Sequence, residues 1–289
     1  MLHTPVLAAE AIEWLRIRPE GTYLDATTGT AGHSIEIARR LTTGRLVCVD
    51  RDSHALDIAR ERLKEFEGRV VLVHAEFSQI GEVAGEHGRF DGVLADLGIS
   101  SLELDSPERG FSFRYAADLD MRMNPNAELT AAEIVNHWPE KQLADLLYQK
   151  AEETDSRRIA KAIVRARPIR DTEHLATVVV GVRKVRGRQR LHPATKTFLA
   201  LRIAVNREEE ELEQFLSRTP ATLNPGGRWV VMSYHSREDR PVKRAFQQLE
   251  RDGGFRVLTK KVIVPSEAEI AKNPRARSAK MRVAEKVAA

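Results

Sequence analysis

The chain of 289 residues is 42% hydrophobic and 30% charged, with one cysteine and a formal net charge of +4. This balance excludes a disordered, collagenous or disulfide-stapled chain, and it supplies enough apolar surface for one large domain or a domain with an insertion. Cys48 alone makes neither an intrachain disulfide nor a cysteine-built metal site, and a reducing cytoplasm is the expected compartment. Glu10, Glu13, Arg16 and Arg18 interrupt the apolar residues near the start, so neither a signal-peptide core nor a membrane span is expected there.

Ala8 to Leu15 predicts an amphipathic helix that stops before Pro19-Glu-Gly21. Thr22-Tyr-Leu-Asp25 predicts a first strand, Asp25-Ala-Thr-Thr-Gly-Thr-Ala-Gly-His33 a tight glycine turn, and Ser34 to Leu41 a helix. That turn aims backbone N–H groups and the positive end of a helix at whatever lies in it. A second strand, Arg45 to Asp50, ends in a carboxylate, the place where doubly wound folds hold ribose hydroxyls. A helix from Ser53 to Phe66, a strand from Val70 to His74 and a strand from Phe90 to Asp96 follow. This alternation predicts a parallel, doubly wound α/β sheet, with Asp25, Asp50 and Asp96 at successive strand ends around one crevice. Phe77 lies just past the third strand, either flanking a cofactor base or capping the core.

The stretch Arg109-Gly-Phe-Ser-Phe-Arg-Tyr115 interleaves basic and aromatic residues without helical or strand period. Phe111, Phe113 and Tyr115 either stack on bases or anchor a long loop to the core. From Thr130 to about Arg190 the pattern is helical, with apolar stripes at Ile159, Ile163 and Val164 and at Leu175, Val178, Val179 and Val182. Residues 157–190 hold eleven Lys and Arg against Asp171 and Glu173, a net +9 that leaves −5 for the remainder. Segregation of this kind suits a polyanion partner for one region and a cofactor core elsewhere, and a solvated helical face explains the charge run equally well. An inserted helical domain over 126–193, between halves at 1–125 and 194–289, is the simplest organisation. A helix from Ala194 through the acidic run at Glu208 to Leu216 then restores the alternation. A strand from Arg228 to Ser233, a helix from Pro241 to Leu249, short strands at Phe255 to Leu258 and Lys261 to Val264, and a basic loop into a last strand complete it.

The glycine turn is informative in what it lacks. A dinucleotide fingerprint has three glycines, the second of which admits a pyrophosphate; here Gly29 and Gly32 remain, and Thr27 fills the first position. Asp25 repels a pyrophosphate and accepts a hydrogen bond from an ammonium group, so a cofactor with an amine and no phosphate fits better. S-adenosylmethionine is such a molecule, and methyl transfer from its sulfonium needs alignment and desolvation, not a metal.

Seven blocks carry a more specific signal: Asp25 to Ser34, Asp96-Leu-Gly-Ile-Ser-Ser101, Arg109-Gly-Phe-Ser-Phe113, Leu119-Asp-Met-Arg-Met123, His192-Pro-Ala-Thr195, Ser233-Tyr-His-Ser-Arg-Glu-Asp-Arg240 and Asn273-Pro-Arg-Ala-Arg-Ser278. With these the chain, from His3-Thr-Pro-Val onward, resembles the bacterial small-subunit ribosomal RNA cytosine-N4 methyltransferases, the methyltransferase H family. The resemblance implies a class I (Rossmann-like) methyltransferase fold with a helical insertion, and N4-methylation of a cytidine in the decoding region of 16S rRNA. It implies that Ala31, Gly32 and His33 contact the methionine part of S-adenosylmethionine, that Asp50 binds the ribose, that Phe77 lies beside adenine and that Asp96 closes the site. Glu103 stands where the family usually has glutamine, so a contact there would be an anionic version.

Cytosine N4 is a poor nucleophile that needs an acceptor for its proton as the methyl arrives. Asp96, the carbonyls of residues 97–100 and His235 are the candidates, with a structural bond from His235 to Asp239 the plainer alternative for the histidine. The base must also leave its stack; Phe111, Phe113 and Tyr115 are placed to hold it, and Arg183, Arg186 and Arg188 to grip phosphates. The expected partner is 16S rRNA or the small ribosomal subunit, without membrane or metal, and with room for a homodimer. A nicotinamide-dependent oxidoreductase is disfavoured by Thr27, and a non-catalytic RNA-binding protein on the same fold is separated by turnover.

Overall fold

The computed structural model describes residues 5–182 and 192–287. They form two compact units, Met1–Gly98 with Glu209–Ala289, and Ile99–Glu208. In chain order the first unit opens with α1 (Ala8–Leu15), β1 (Thr22–Asp25), α2 (Gly32–Ala38), β2 (Arg45–Asp50), α3 (Ser53–Arg62), β3 (Val70–His74), α4 (Ile80–His87) and β4 (Phe90–Asp96). The second contains α5 (Ser101–Asp105), α6 (Ala131–His137), α7 (Glu140–Ala151), α8 (Ser156–Ala166), α9 (Thr172–Val182) and α10 (Thr195–Val205). The chain then returns through α11 (Glu208–Thr222), β5 (Leu223–Ser233), α12 (Ser236–Arg251), β6 (Phe255–Val257), α13 (Glu267–Lys272) and β7 (Lys280–Lys286).

The seven strands form one sheet in the order β3-β2-β1-β4-β5-β7-β6. The first five run parallel, and β7 lies antiparallel between β5 and β6. Strand order reverses between β1 and β4, so the switch point falls where the sequence predicts it. Alternate residues sort to opposite faces, as a sheet covered on both sides requires. Tyr23, Leu46, Cys48, Leu94, Val230 and Met232 join one apolar layer with α1 and α2. Leu24, Val47, Val49, Val93, Trp229 and Val231 join the other, with Ile80, Phe215 and Phe246 from the helices. The expected mainly parallel, doubly wound α/β sheet is therefore present.

The second unit is wider than the 126–193 expected. The reason is packing: Phe111, Leu119, Met121 and Met123 from the preceding loop, and Phe198, Leu201 and Val205 from α10, share one core with Ile134, Leu147, Ile159 and Leu175. Nor does a single helix run from Ala194 to Leu216. Asn206 breaks it, donating from Nδ2 to the Met121 carbonyl at 2.8 Å and accepting the Met123 N–H at 2.7 Å, and Arg207 turns left-handed at φ 48°. The expected strand at Lys261 to Val264 is reduced to one bridge between Ile263 and Met281. Among the described residues no helix is long and apolar enough to cross a membrane.

Candidate active site

Strand register separates the three carboxylates. Asp25 pairs level with Cys48 and with Leu94, so Asp50 and Asp96 each extend two residues farther along their strands. At about 3.3 Å per residue that is roughly 6.6 Å. Asp25 is therefore sealed inside, with no exposed surface, while Asp50 and Asp96 reach the rim half-buried. Burial drives the Asp25 carboxyl above its usual range. Its oxygens accept from Ser34 Oγ at 2.6 Å and from the Thr27 N–H at 3.2 Å. The amine-accepting role expected of Asp25 is thus corrected: its carboxylate sits too deep and braces the turn instead.

The turn in turn positions both rim carboxylates. Gly29, at φ 49°, donates its N–H to Asp50 Oδ2 at 2.7 Å, and the Asp52 N–H donates to Oδ1 at 2.9 Å. Each Asp50 oxygen keeps a lone pair for a further donor. Burial pushes the Asp50 carboxyl up to about 6, against the lowering effect of those two N–H groups. Thr27, in place of the fingerprint glycine, accepts the Asp96 N–H on its hydroxyl at 2.6 Å. The threonine that departs from the dinucleotide fingerprint thereby ties the β1 turn to the end of β4.

Asp96 has its two oxygens in different company. The Tyr234 hydroxyl donates to Oδ1 at 2.7 Å. Oδ2 lies 3.7 Å from His33 Nε2. His33 is 5% exposed, and neither ring nitrogen has a hydrogen-bond partner among the described residues. Burial, reinforced by the Asp96 charge, raises the Tyr234 phenol far above its usual range, so it remains a donor. Tyr234 lies in one of the seven sequence blocks, but a tyrosine beyond a strand end carries no signal that it orients a carboxylate 138 residues away. His235 begins α12 as its cap, its Nε2 3.1 Å from Glu238 Oε1, and Glu238 also accepts the Tyr234 N–H at 2.7 Å. The structural partner of the histidine is Glu238; Asp239 pairs with Arg282 at 2.7 Å.

Ala31, Gly32, His33, Asp50 and Asp96 thus converge on the turn. Phe77, in a short 3-10 turn beyond β3, is half-buried and stacks one face on Phe215 with centroids 4.6 Å apart. Glu103 belongs to the second unit, where its Oε2 accepts the Ser100 N–H and hydroxyl at 2.8 and 2.9 Å and closes the cap of α5. Phe111 is only 7% exposed and lies in the core of that unit. Phe113 is half-buried, stacked on His192 at 4.5 Å and edge-on to Phe198 at 5.0 Å. Arg183, Arg186 and Arg188 lie outside the described residues. The described part of the basic segment puts Arg157, Arg158, Lys161 and Arg165 on the exposed face of α8, while Arg167 turns inward to the carbonyls of Val135 and Trp138.

An S-adenosylmethionine molecule fits this donor and acceptor set: a rim carboxylate with spare lone pairs for ribose hydroxyls, a glycine turn, and a buried histidine with unmatched nitrogens.

Comparison with known proteins agrees. The MraW methylase family matches residues 1–287. The chain is 50% identical to the ribosomal RNA small subunit methyltransferase H of Solibacter usitatus, covering 98% of this chain and 99% of that one. It is likewise 50% identical to the protein of the same name from Koribacter versatilis, over 98% and 93%. An rRNA methylase structure from Streptococcus thermophilus is 10% identical with a TM-score of 0.48 over the whole of both chains.

Proposed function

The chain belongs to the MraW methylase family, and from that premise we propose that it transfers a methyl group from S-adenosylmethionine to N4 of a cytidine in the decoding region of 16S rRNA. The observation that carries the chemistry is the divided environment of Asp96: one oxygen is held by Tyr234 and the other is directed toward His33. S-adenosylmethionine supplies a methyl on a positively charged sulfur, so that a nitrogen–carbon bond forms as the sulfur–carbon bond breaks and its electron pair returns to sulfur.

The chain's own residues supply orientation and a proton acceptor. Asp50 accepts the ribose hydroxyls on the lone pairs that Gly29 and Asp52 leave open. Ala31, Gly32 and His33 line the methionine part, and the face of Phe77 opposite Phe215 flanks the adenine. Asp96 Oδ2 takes the proton that the amine loses as the new bond forms, and Tyr234 holds Oδ1 so that Oδ2 stays directed. A fixed carboxylate answers the weak nucleophilicity of an amine delocalised into its ring. His235 and Glu238 brace the start of α12 behind Tyr234. The basic face of α8, with Arg183, Arg186 and Arg188, grips phosphates of the RNA, and the work is done in the cytoplasm where subunits are assembled.

The test is methyl incorporation from labelled S-adenosylmethionine into small subunits and protein-free 16S rRNA by wild type, D50A and D96A. Wild type incorporates label, D50A needs far more cofactor, and D96A binds cofactor with little turnover. Equal incorporation by all three contradicts the site assignment.

A further inference from the structure

The aromatic residues of the loop after β4 divide sharply. Phe111 is in the core, Phe113 is packed between His192 and Phe198, and Tyr115 is 63% exposed. The exposed ring does not stand on a loose loop. Thr172, the first residue of α9, donates its hydroxyl to the Tyr115 carbonyl at 2.6 Å. It also receives the Ala117 N–H on the same oxygen at 3.1 Å and donates its own N–H to the Ala117 carbonyl at 2.9 Å. Tyr115 is itself part of this junction, and Arg170 lies two residues from Thr172, a span of at most about 7 Å of extended chain. Arg114 and Arg170 are both exposed, and neither side chain has a carboxylate partner among the described residues. Arg157, Lys161 and Arg165, without carboxylate partners among the described residues, add further cations on α8, which packs against α9. Asp118 and Glu173 are the exposed acids near the junction.

We propose that Tyr115, flanked by Arg114 and Arg170, is a stacking platform for an unpaired base of the RNA, with the two arginines on the adjoining phosphates. An anchored backbone presenting a bare ring between uncompensated cations is the combination that single-stranded nucleic acid requires: a π-face for the base and positive charge for the chain. An anchored backbone matters because the chain that carries the ring loses little freedom on binding. The inference rests on the RNA-methylating function above and assigns it a second, non-reacting contact.

The test measures binding by titration with protein-free 16S rRNA and with purified small subunits, and methyl transfer in the same samples. Y115A is expected to raise Kd and KM for both RNAs roughly tenfold, within the range of about 1–3 kcal/mol per stacked base, leaving kcat and cofactor affinity unchanged. Y115F and Y115W restore binding, and the added tryptophan emission of Y115W is quenched by RNA. R114A with R170A flattens the salt dependence, the slope falling by roughly 0.7 for each phosphate that is no longer neutralised. Unchanged RNA affinity in Y115A overturns the proposal, as does failure of Y115F and Y115W to restore it. Weakened binding to subunits alone overturns it in favour of a ribosomal protein. Wild type that binds RNA without transferring methyl defeats the functional reading, while the binding of Y115A still decides the platform.

Discussion

The end of the sheet and the surface of the second unit place charge in opposite ways. At the sheet, Asp25, Asp50 and Asp96 are few, held by short hydrogen bonds and graded in depth by strand register. On the second unit, Arg114, Arg157, Lys161, Arg165 and Arg170 are exposed and without carboxylate partners among the described residues. The first arrangement fixes atoms to within the tolerance of a bond-making step. The second attracts a polyanion whose exact seat is set by many weak contacts. Variants should therefore fail differently: sharply and locally at the sheet, gradually and salt-dependently on the helices.

The largest effect belongs to Asp96. D96A is expected to lower kcat by roughly 10²–10⁴, the range for loss of a positioned proton acceptor, while calorimetric cofactor affinity changes little. A variant that kept its turnover would erase the distinction between the two regions. Next comes Asp25, whose carboxylate braces Ser34 and Thr27. D25A leaves those buried donors unmatched and should cost about 1–3 kcal/mol in denaturant unfolding, with loss of cofactor binding following from the disturbed turn.

Asp50 sharpens the comparison through pH. Its carboxyl is pushed up to about 6 from 3.8, so the native apo-protein holds this proton more tightly than the unfolded chain does. The stability contributed by that proton is present below about pH 4 and lost as pH rises toward 6. Affinity for S-adenosylmethionine runs the other way, falling up to tenfold per unit below about pH 6 as the carboxylate that accepts the ribose is protonated. D50N should flatten both trends, and parallel rather than opposed trends would break the assignment. The mildest effects are expected on α8, where R157E with K161E and R165E raises KM for RNA several-fold and flattens its salt slope, with cofactor affinity unchanged. A matching loss of cofactor affinity would mean that the two regions do not divide the work.

Much of the sheet is legible in the sequence because its strands are short apolar runs with clear punctuation; β1 to β4 fall where Thr22, Arg45, Val70 and Phe90 open them. The turn and the rim carboxylates are legible too, since the chemistry of a nucleoside site dictates glycine and Asp at those spacings. The depth of Asp25 is not, because it depends on how three strands register side by side. Neither is the bond from Tyr234 to Asp96, nor the hydroxyl of Thr27 on the Asp96 N–H, since both join residues far apart in the chain through a fold that local pattern does not specify. Among the loop aromatics, composition marks Phe111, Phe113 and Tyr115 alike; only packing shows that the first two anchor the loop and the third is left outside. Asn206 likewise interrupts what periodicity predicts as one helix, because its amide is claimed by Met121 and Met123.

The most direct test of the proposed chemistry is to map the methylated nucleotide by nuclease digestion and mass spectrometry. Small subunits from cells lacking the protein are compared before and after treatment with purified wild type or D96A and S-adenosylmethionine. The expected result is a decoding-region cytidine without its N4-methyl in the untreated subunits, restored by wild type and not by D96A. An N4-methyl already present without the protein, a methyl on another atom, or full restoration by D96A would contradict it.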